Sequence, residues 1–325
     1  PRNGEASWNE SLDIMEFAPC PSMSYRYTGV AARAAHVLRS IGKDERASEY
    51  EESARRALQW AEENESRFFN SGPQRFYSDK ALAYLEFYRL TEDPQFHRAF
   101  LKYTRLTNPD LKLWATGESQ DTPTEDSAWL YLQLDPDLTD ADLREKVLDM
   151  FTTEADRLCD NMEATGYRWA GHKEQPVMWG VLSCVKRNSL ARAHYLTGDE
   201  RYLRALIYAN MVGAGANPVN ICYTTGVGSR CPQNIMHVDS RITRQAPPPG
   251  ITIGGPLDVS LGMSGTGWVG KWQKSMSDQV TPPIDQWPAT EAYWDIYRYA
   301  PICEFTVHNI LIYNIYNWGY MASRR

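Results

Sequence analysis

The chain has 325 residues, a net charge of −7, 42% hydrophobic and 23% charged residues, which is ordinary for a globular protein with a sizeable core. The acidic balance excludes a nucleic-acid-binding surface, which would show a basic stripe, and no apolar run approaches the roughly 20 residues that span a bilayer. Aromatics stand out, with 11 Trp and 19 Tyr, residues that stack on sugar rings and also fill cores. The chain starts at Pro1 without an initiator Met, as a processed chain or a piece of a longer one would. Its six cysteines lack a metal spacing such as C-x-x-C; Cys222 and Cys231 either staple the loop between them or stay as free thiols.

In chain order, apolar residues recur at helical spacing in pairs of segments separated by short polar turns. The first pair is Ala31 to Leu38 and Tyr50 to Ala61, around a turn at Gly42–Glu45. The second is Ala81 to Leu90 and Phe96 to Tyr103, around Thr91–Pro94. A looser pair, Trp129 to Leu132 and Leu143 to Leu158, flanks Asp135–Asp140. The last pair is Leu190 to Leu196 and Tyr202 to Val212, around Thr197–Glu200. Gly-Asp and Asp-Pro turns stop one helix and start the next. The hairpins have no constant period, so an open solenoid is disfavoured. Long irregular segments separate them (Lys112 to Asp126, Tyr167 to Met178, Val219 to Pro288), and loops gathered at one end of a helical ring make a cleft. The expected fold is all-α, a closed α/α toroid of hairpins with long loops at one end, in one domain spanning 1–325.

Two signals carry little. Gly265-Thr-Gly-Trp-Val-Gly270 matches G-x-G-x-x-G without a preceding strand or a βαβ unit, so no nucleotide site is expected. The acidic runs at Glu49–Glu52 and Glu62–Glu65 read as solvated helix faces. The informative stretch is the last third, rich in Gly, Pro and aromatics. It contains Tyr223-Thr-Thr-Gly-Val-Gly228, then His237-Val-Asp-Ser-Arg241, Pro249-Gly250, Gly254-Gly-Pro256 and Glu304-Phe-Thr-Val307.

These blocks, with Trp179-Gly180, the helix Asn188 to Asp199 and Ala216-Asn-Pro218, occur in the order found in glycoside hydrolase family 9, and over roughly residues 20–320 the chain resembles that family of inverting β-glucanases and exo-enzymes. The resemblance implies an (α/α)6 toroid with long active-site loops and hydrolysis of β-glycosidic bonds in a β-glucan or related glycan, with an oligo- or polysaccharide as partner. Polymeric glycans then imply an extracellular or periplasmic location. Three departures mark this sequence. It has no Asp-Ala-Gly-Asp segment, where the family carries its base, so the first helices and the base are expected from a missing N-terminal segment or a second chain. Cys303 replaces the usual Asn before the acid, and Val-Asp-Ser separates His237 from Arg241.

Inversion needs one carboxylic acid to protonate the leaving oxygen and a second carboxylate, about 6.5–9.5 Å away, to activate water on the opposite face. The resemblance assigns the acid to Glu304, whose apolar neighbours suit a carboxyl that stays protonated. Read on its residues alone, Glu304 is a helix-start carboxylate stabilised by the dipole. Glu291 is the second candidate acid. The expected substrate-binding residues are His237, Asp239, Arg241, Tyr223, Trp179 and Trp294. Asp239 either pairs with Arg241 or reaches a sugar hydroxyl or amino group. Trp268, Trp272, Trp287 and Trp294 are stacking platforms or packing residues, and His172 lies close before Trp179. No cofactor and no metal site are expected, although loop oxygens leave room for a structural Ca²⁺. The alternative reading is a non-catalytic carbohydrate-binding relative of the same fold.

Overall fold

The computed structural model describes residues 4–13, 18–66, 77–112, 122–171, 188–257 and 279–324. The chain divides into two compact units, Met15–Phe151 and Pro1–Ile14 together with Thr152–Arg325, and each is described by itself.

The first unit holds α1 (Pro21–Ser40), α2 (Asp44–Asn64), α3 (Tyr77–Thr91), α4 (Pro94–Tyr103), α5 (Thr122–Gln133) and the start of α6 (Ala141–Ala164). Helix α1 begins ten residues before the expected Ala31, because Pro21 suits a first-turn position where no N–H is needed. Gly42, in the left-handed region at φ +71°, ends α1 and turns the chain into α2. Asp93 accepts the Gln95 N–H at 2.9 Å and Pro94 follows at N1, so α4 starts where α3 stops. Helix α1 packs on α2 and α3, and α3 on α4 and α5. Ala31, Ala32 and Ala35 are buried on α1, and small side chains there let α3 come close: the nearest backbone to Gly29 is Ala83. Aromatic rings fill the α3–α4 seam, with Phe87 and Phe96 stacked at 5.0 Å and Tyr84 and Tyr103 at 5.8 Å.

One expectation is corrected here. The run Glu62–Glu65 is not simply a solvated face, because Tyr84 donates to Glu62, and Tyr25 (2.6 Å) and the Lys80 ammonium (2.9 Å) both reach Glu65. Lys80 is itself buried, over the Tyr103 ring at 4.4 Å, so its charge needs that partner.

The second unit holds the rest of α6, then α7 (Ser189–Thr197), α8 (Glu200–Gly213), α9 (Val238–Thr243), a short helical turn Ala300–Cys303 and a last helix Ile312–Ala322. Gly198, at φ +72°, ends α7, and Asp199 caps α8 by accepting the Arg201 N–H at 2.9 Å. Ala155, Leu158, Cys159 and Met162 of α6 pack with Leu190, Ala191, Tyr202 and Leu206 of the hairpin. A second core lies under the loops after α8 and gathers Tyr223, Ile235, Ile253, Tyr293, Tyr299 and Ile302. Among the described residues no strand forms. One isolated antiparallel bridge joins Thr224 to Thr252.

Candidate active site

The loops after α8 are held by backbone and amide hydrogen bonds instead of by regular structure. Asn217 donates its side-chain N–H groups to the carbonyls of Val212 (2.7 Å) and Ile221 (2.8 Å), which folds the chain back at the end of α8. Tyr223 N–H then donates to Gly213 O at 2.9 Å and Ile253 N–H to Tyr223 O at 3.1 Å. Thr225 and Gly250 complete the pairing, each N–H reaching across to the other segment. Gly226 is required where it stands: its φ is +68°, and a Cβ there would lie 2.6 Å from Pro249 Cβ.

This frame carries Gly254 and Gly255 to the segment that holds Glu304. Gly254 N–H donates to Glu304 O at 2.8 Å and Gly255 N–H to Ile302 O at 3.1 Å. From a third block, Met236 N–H donates to Cys303 O at 3.0 Å. Three sequence blocks separated by tens of residues therefore meet at residues 302–304. Glu304 is half-buried, and its N–H closes the turn Ala300–Cys303 by donating to Ala300 O at 2.9 Å. It is the C-cap of that turn and not the first residue of a helix; helical geometry resumes only at Val307. Cys303 is fully buried with its thiol donating to Tyr297 O at 3.1 Å, and burial pushes that thiol up to about 12.

His237 caps α9. The Ser240 N–H donates to His237 Nδ1 at 3.2 Å, and the Ser240 hydroxyl lies 2.7 Å from the same nitrogen. With Nδ1 accepting the Ser240 N–H, Nε2 is the ring nitrogen left to face a ligand. The ring also packs against Phe305, centroids 6.3 Å apart, which places His237 beside the residue that follows Glu304.

Asp239 does not pair with Arg241. Its two carboxylate oxygens accept from the Ser7 N–H (2.6 Å) and the Ser7 hydroxyl (2.5 Å), and these bonds hold the carboxyl below its ordinary range. Arg241 instead lies 4.1 Å over the Tyr297 ring. Tyr223, expected against the sugar, is fully buried in the core under the loops with its ring edge-on to Tyr293. It supports the site from below because both its backbone groups are committed to the loop frame. Trp294 is half-buried between Trp287 (5.3 Å, edge-on) and Tyr299 (5.9 Å), and its indole N–H has no partner. Glu291 is also half-buried, its N–H turned back onto Pro288 O. Trp179, His172, Trp268 and Trp272 lie outside the described residues, as does the Gly265–Gly270 motif.

The structure adds residues that sequence reasoning missed. Asp295 accepts the backbone N–H groups of Gln233 (2.8 Å) and Asn234 (3.0 Å) and so ties the loop before His237 to the segment before Glu304. The one available signal was its position, a carboxylate set among Tyr293, Trp294 and Tyr297. Ser7 had no signal at all. Cys222 and Cys231 are both free, and the Cys222 N–H donates instead to Arg230 O at 3.0 Å. Among the described residues no group of three or more His, Cys, Asp or Glu side chains is gathered to hold a metal ion. No described helix is long and apolar enough to cross a membrane.

The family model for glycosyl hydrolase family 9 matches residues 8–304. The chain belongs to glycosyl hydrolase family 9. It is 32% identical over 139 residues to a xyloglucan-specific endo-β-1,4-glucanase of Bacteroides ovatus, a stretch covering 40% of this chain and 23% of that protein. Among solved structures it resembles a metagenome-derived family 9 endoglucanase (TM-score 0.66, 18% identity), covering 93% of this chain and 52% of that one. It likewise resembles a single mutant of the thermostable endoglucanase of Alicyclobacillus acidocaldarius (TM-score 0.63, 19% identity, 99% and 58% covered). These likenesses give the fold, the family 9 (α/α)6 toroid of helical hairpins. The chain thus spans about a quarter of the curated relative and about half of these solved chains.

Proposed function

We propose that this family 9 chain supplies the proton-donating and sugar-holding part of an inverting hydrolase acting on a β-linked glucan or related glycan, with Glu304 as general acid. The observation that carries this reading is the convergence of Met236, Gly254 and Gly255 on residues 302–304, which sets the Glu304 segment beside His237. A carboxyl fixed by its backbone on a frame of loops is held at one place, as proton transfer to a glycosidic oxygen requires.

In this reading Glu304 gives its proton to the leaving oxygen while water attacks the anomeric carbon from the opposite face, and the product appears with inverted configuration. The water loses its proton to a second carboxylate, which inversion requires on the face opposite the acid. His237 Nε2, Arg241 and the Trp294 ring hold sugar hydroxyls and faces. Asp239 fixes α9 through Ser7 instead of touching sugar. A polymeric glycan as substrate supports an extracellular or periplasmic location.

The test is Glu304→Gln in the whole protein that carries this chain. Turnover should fall about 10²–10⁴-fold while oligosaccharide affinity is kept, since only the transferable proton is removed. Turnover within a few-fold of wild type would reject Glu304 as the acid. The parallel variant Glu291→Gln should retain most activity.

A further inference from the structure

Beside the Glu304 segment the second unit contains a cavity of about 280 Å³ that the roles above touch only through Arg241. Its wall includes Arg241, Arg244, Tyr297 and the side-chain amides of Gln233, Asn234 and Gln245. Among the described residues no carboxylate lines it, and neither Arg241 nor Arg244 makes an ion pair. The carboxylates closest to it in sequence are turned to other donors, Asp239 to Ser7 and Asp295 to the N–H groups of Gln233 and Asn234. In a chain whose net charge is −7, two unpaired guanidinium groups in one concavity form a local positive site. The Tyr297 ring holds one of them at 4.1 Å, and Arg244 closes α9, its N–H donating to Ser240 O.

We infer that this cavity takes an anionic substituent of the glycan, a carboxylate or an ester sulfate on a sugar unit near the one that is cleaved. The chemistry matches in three respects. Guanidinium groups bind planar or tetrahedral oxyanions with paired, charge-assisted hydrogen bonds. The Gln245 amide adds a neutral group beside them, the Gln233 and Asn234 amides being turned to Cys231 and Asp295, and the volume admits a sugar-sized group. The location also fits: Ile235 at the cavity floor is one residue from Met236, whose N–H is bonded to Cys303 O beside Glu304. The inference rests on the hydrolase reading and deepens it, from a β-glycan in general to one bearing acidic groups.

The experiment measures binding to the Glu304→Gln protein by calorimetry at low salt, so that turnover does not interfere. The ligands are a neutral β-1,4-gluco-oligosaccharide and oligosaccharides of the same length carrying either a glucuronosyl branch or a sulfate ester. At least one acidic ligand should bind about tenfold tighter than the neutral one, a gain expected of one charge-assisted pair. Which of the two wins identifies the oxyanion. That preference should vanish in Arg244→Gln and in high salt, while Arg204→Gln, at an exposed arginine outside the cavity wall, keeps it. Equal affinity for neutral and acidic ligands, or a preference that survives Arg244→Gln, would overturn the inference and leave the hydrolase reading standing. No binding of any oligosaccharide would overturn both.

Discussion

At position 223 a tyrosine hydroxyl sits in apolar surroundings with no hydrogen-bond partner, and burial alone pushes its pKa well above the ordinary phenol range. Removing a buried hydroxyl that makes no bond loses nothing in the folded state, so Tyr223→Phe should leave stability unchanged or raise it by up to about 1 kcal/mol. A urea midpoint that falls by the equivalent of more than about 1 kcal/mol would show that the hydroxyl has a partner. Asp239 makes a prediction of the opposite kind. Its folded pKa is lowered by Ser7, so the tie is complete above the ordinary carboxylate range and is lost as pH falls through the lowered value. Amide exchange at Ser7 should therefore be protected at neutral pH and accelerate, beyond the intrinsic pH effect, only in acid. Asp239→Ala, which removes the acceptor, should expose the same amide at neutral pH. Unchanged protection in that variant would contradict the contact. Neither position could be read correctly from the sequence. Tyr223 lies in a motif that suggests a sugar contact, and its burial follows from long-range pairing that no local pattern records. Asp239 stands two residues from Arg241, which invites an ion pair, whereas its partner lies 232 residues away.

Among the elements, the hairpins were legible because an amphipathic helix writes its period into the sequence and Asp-Pro or Gly-Asp writes its boundary; Asp93 and Asp199 do cap the helices they precede. The starts of α1 and α5 were not. Pro21-Ser-Met-Ser and Thr122-Pro-Thr-Glu are polar first turns without periodicity, and they are helical because the residues beyond them are. The last helix, Ile312–Ala322, is rich in Tyr and Asn and was missed for the same reason. In the loop frame, glycine identity separates two costs. Gly198 has φ +72° and open space around the missing Cβ, so Gly198→Ala should cost about 1 kcal/mol, the backbone penalty alone. Gly226 has the same handedness with Pro249 in the way, so Gly226→Ala should cost clearly more, about 2 kcal/mol or above, and should disturb the Thr225–Ile251 pairing. Equal costs at the two sites, measured by denaturant unfolding, would mean that the Gly226–Pro249 approach is loose.

For the whole molecule, family membership gives the fold, and the loop frame gives the place of Glu304, His237 and Arg241. The order of the motifs made the family legible, since each block is short but the sequence of blocks is long. What brings them together was not legible: the meeting of residues 236, 254 and 302–304 is a matter of backbone hydrogen bonds, which any side chain permits. Inverting hydrolysis with Glu304 as acid is read most directly by proton NMR of the anomeric signals during cleavage of a β-1,4-gluco-oligosaccharide by the whole protein that carries this chain. The α-anomer of the new reducing end should appear first and then mutarotate, and Glu304→Gln should give no such signal. First appearance of the β-anomer, or an α-signal undiminished in Glu304→Gln, would contradict it.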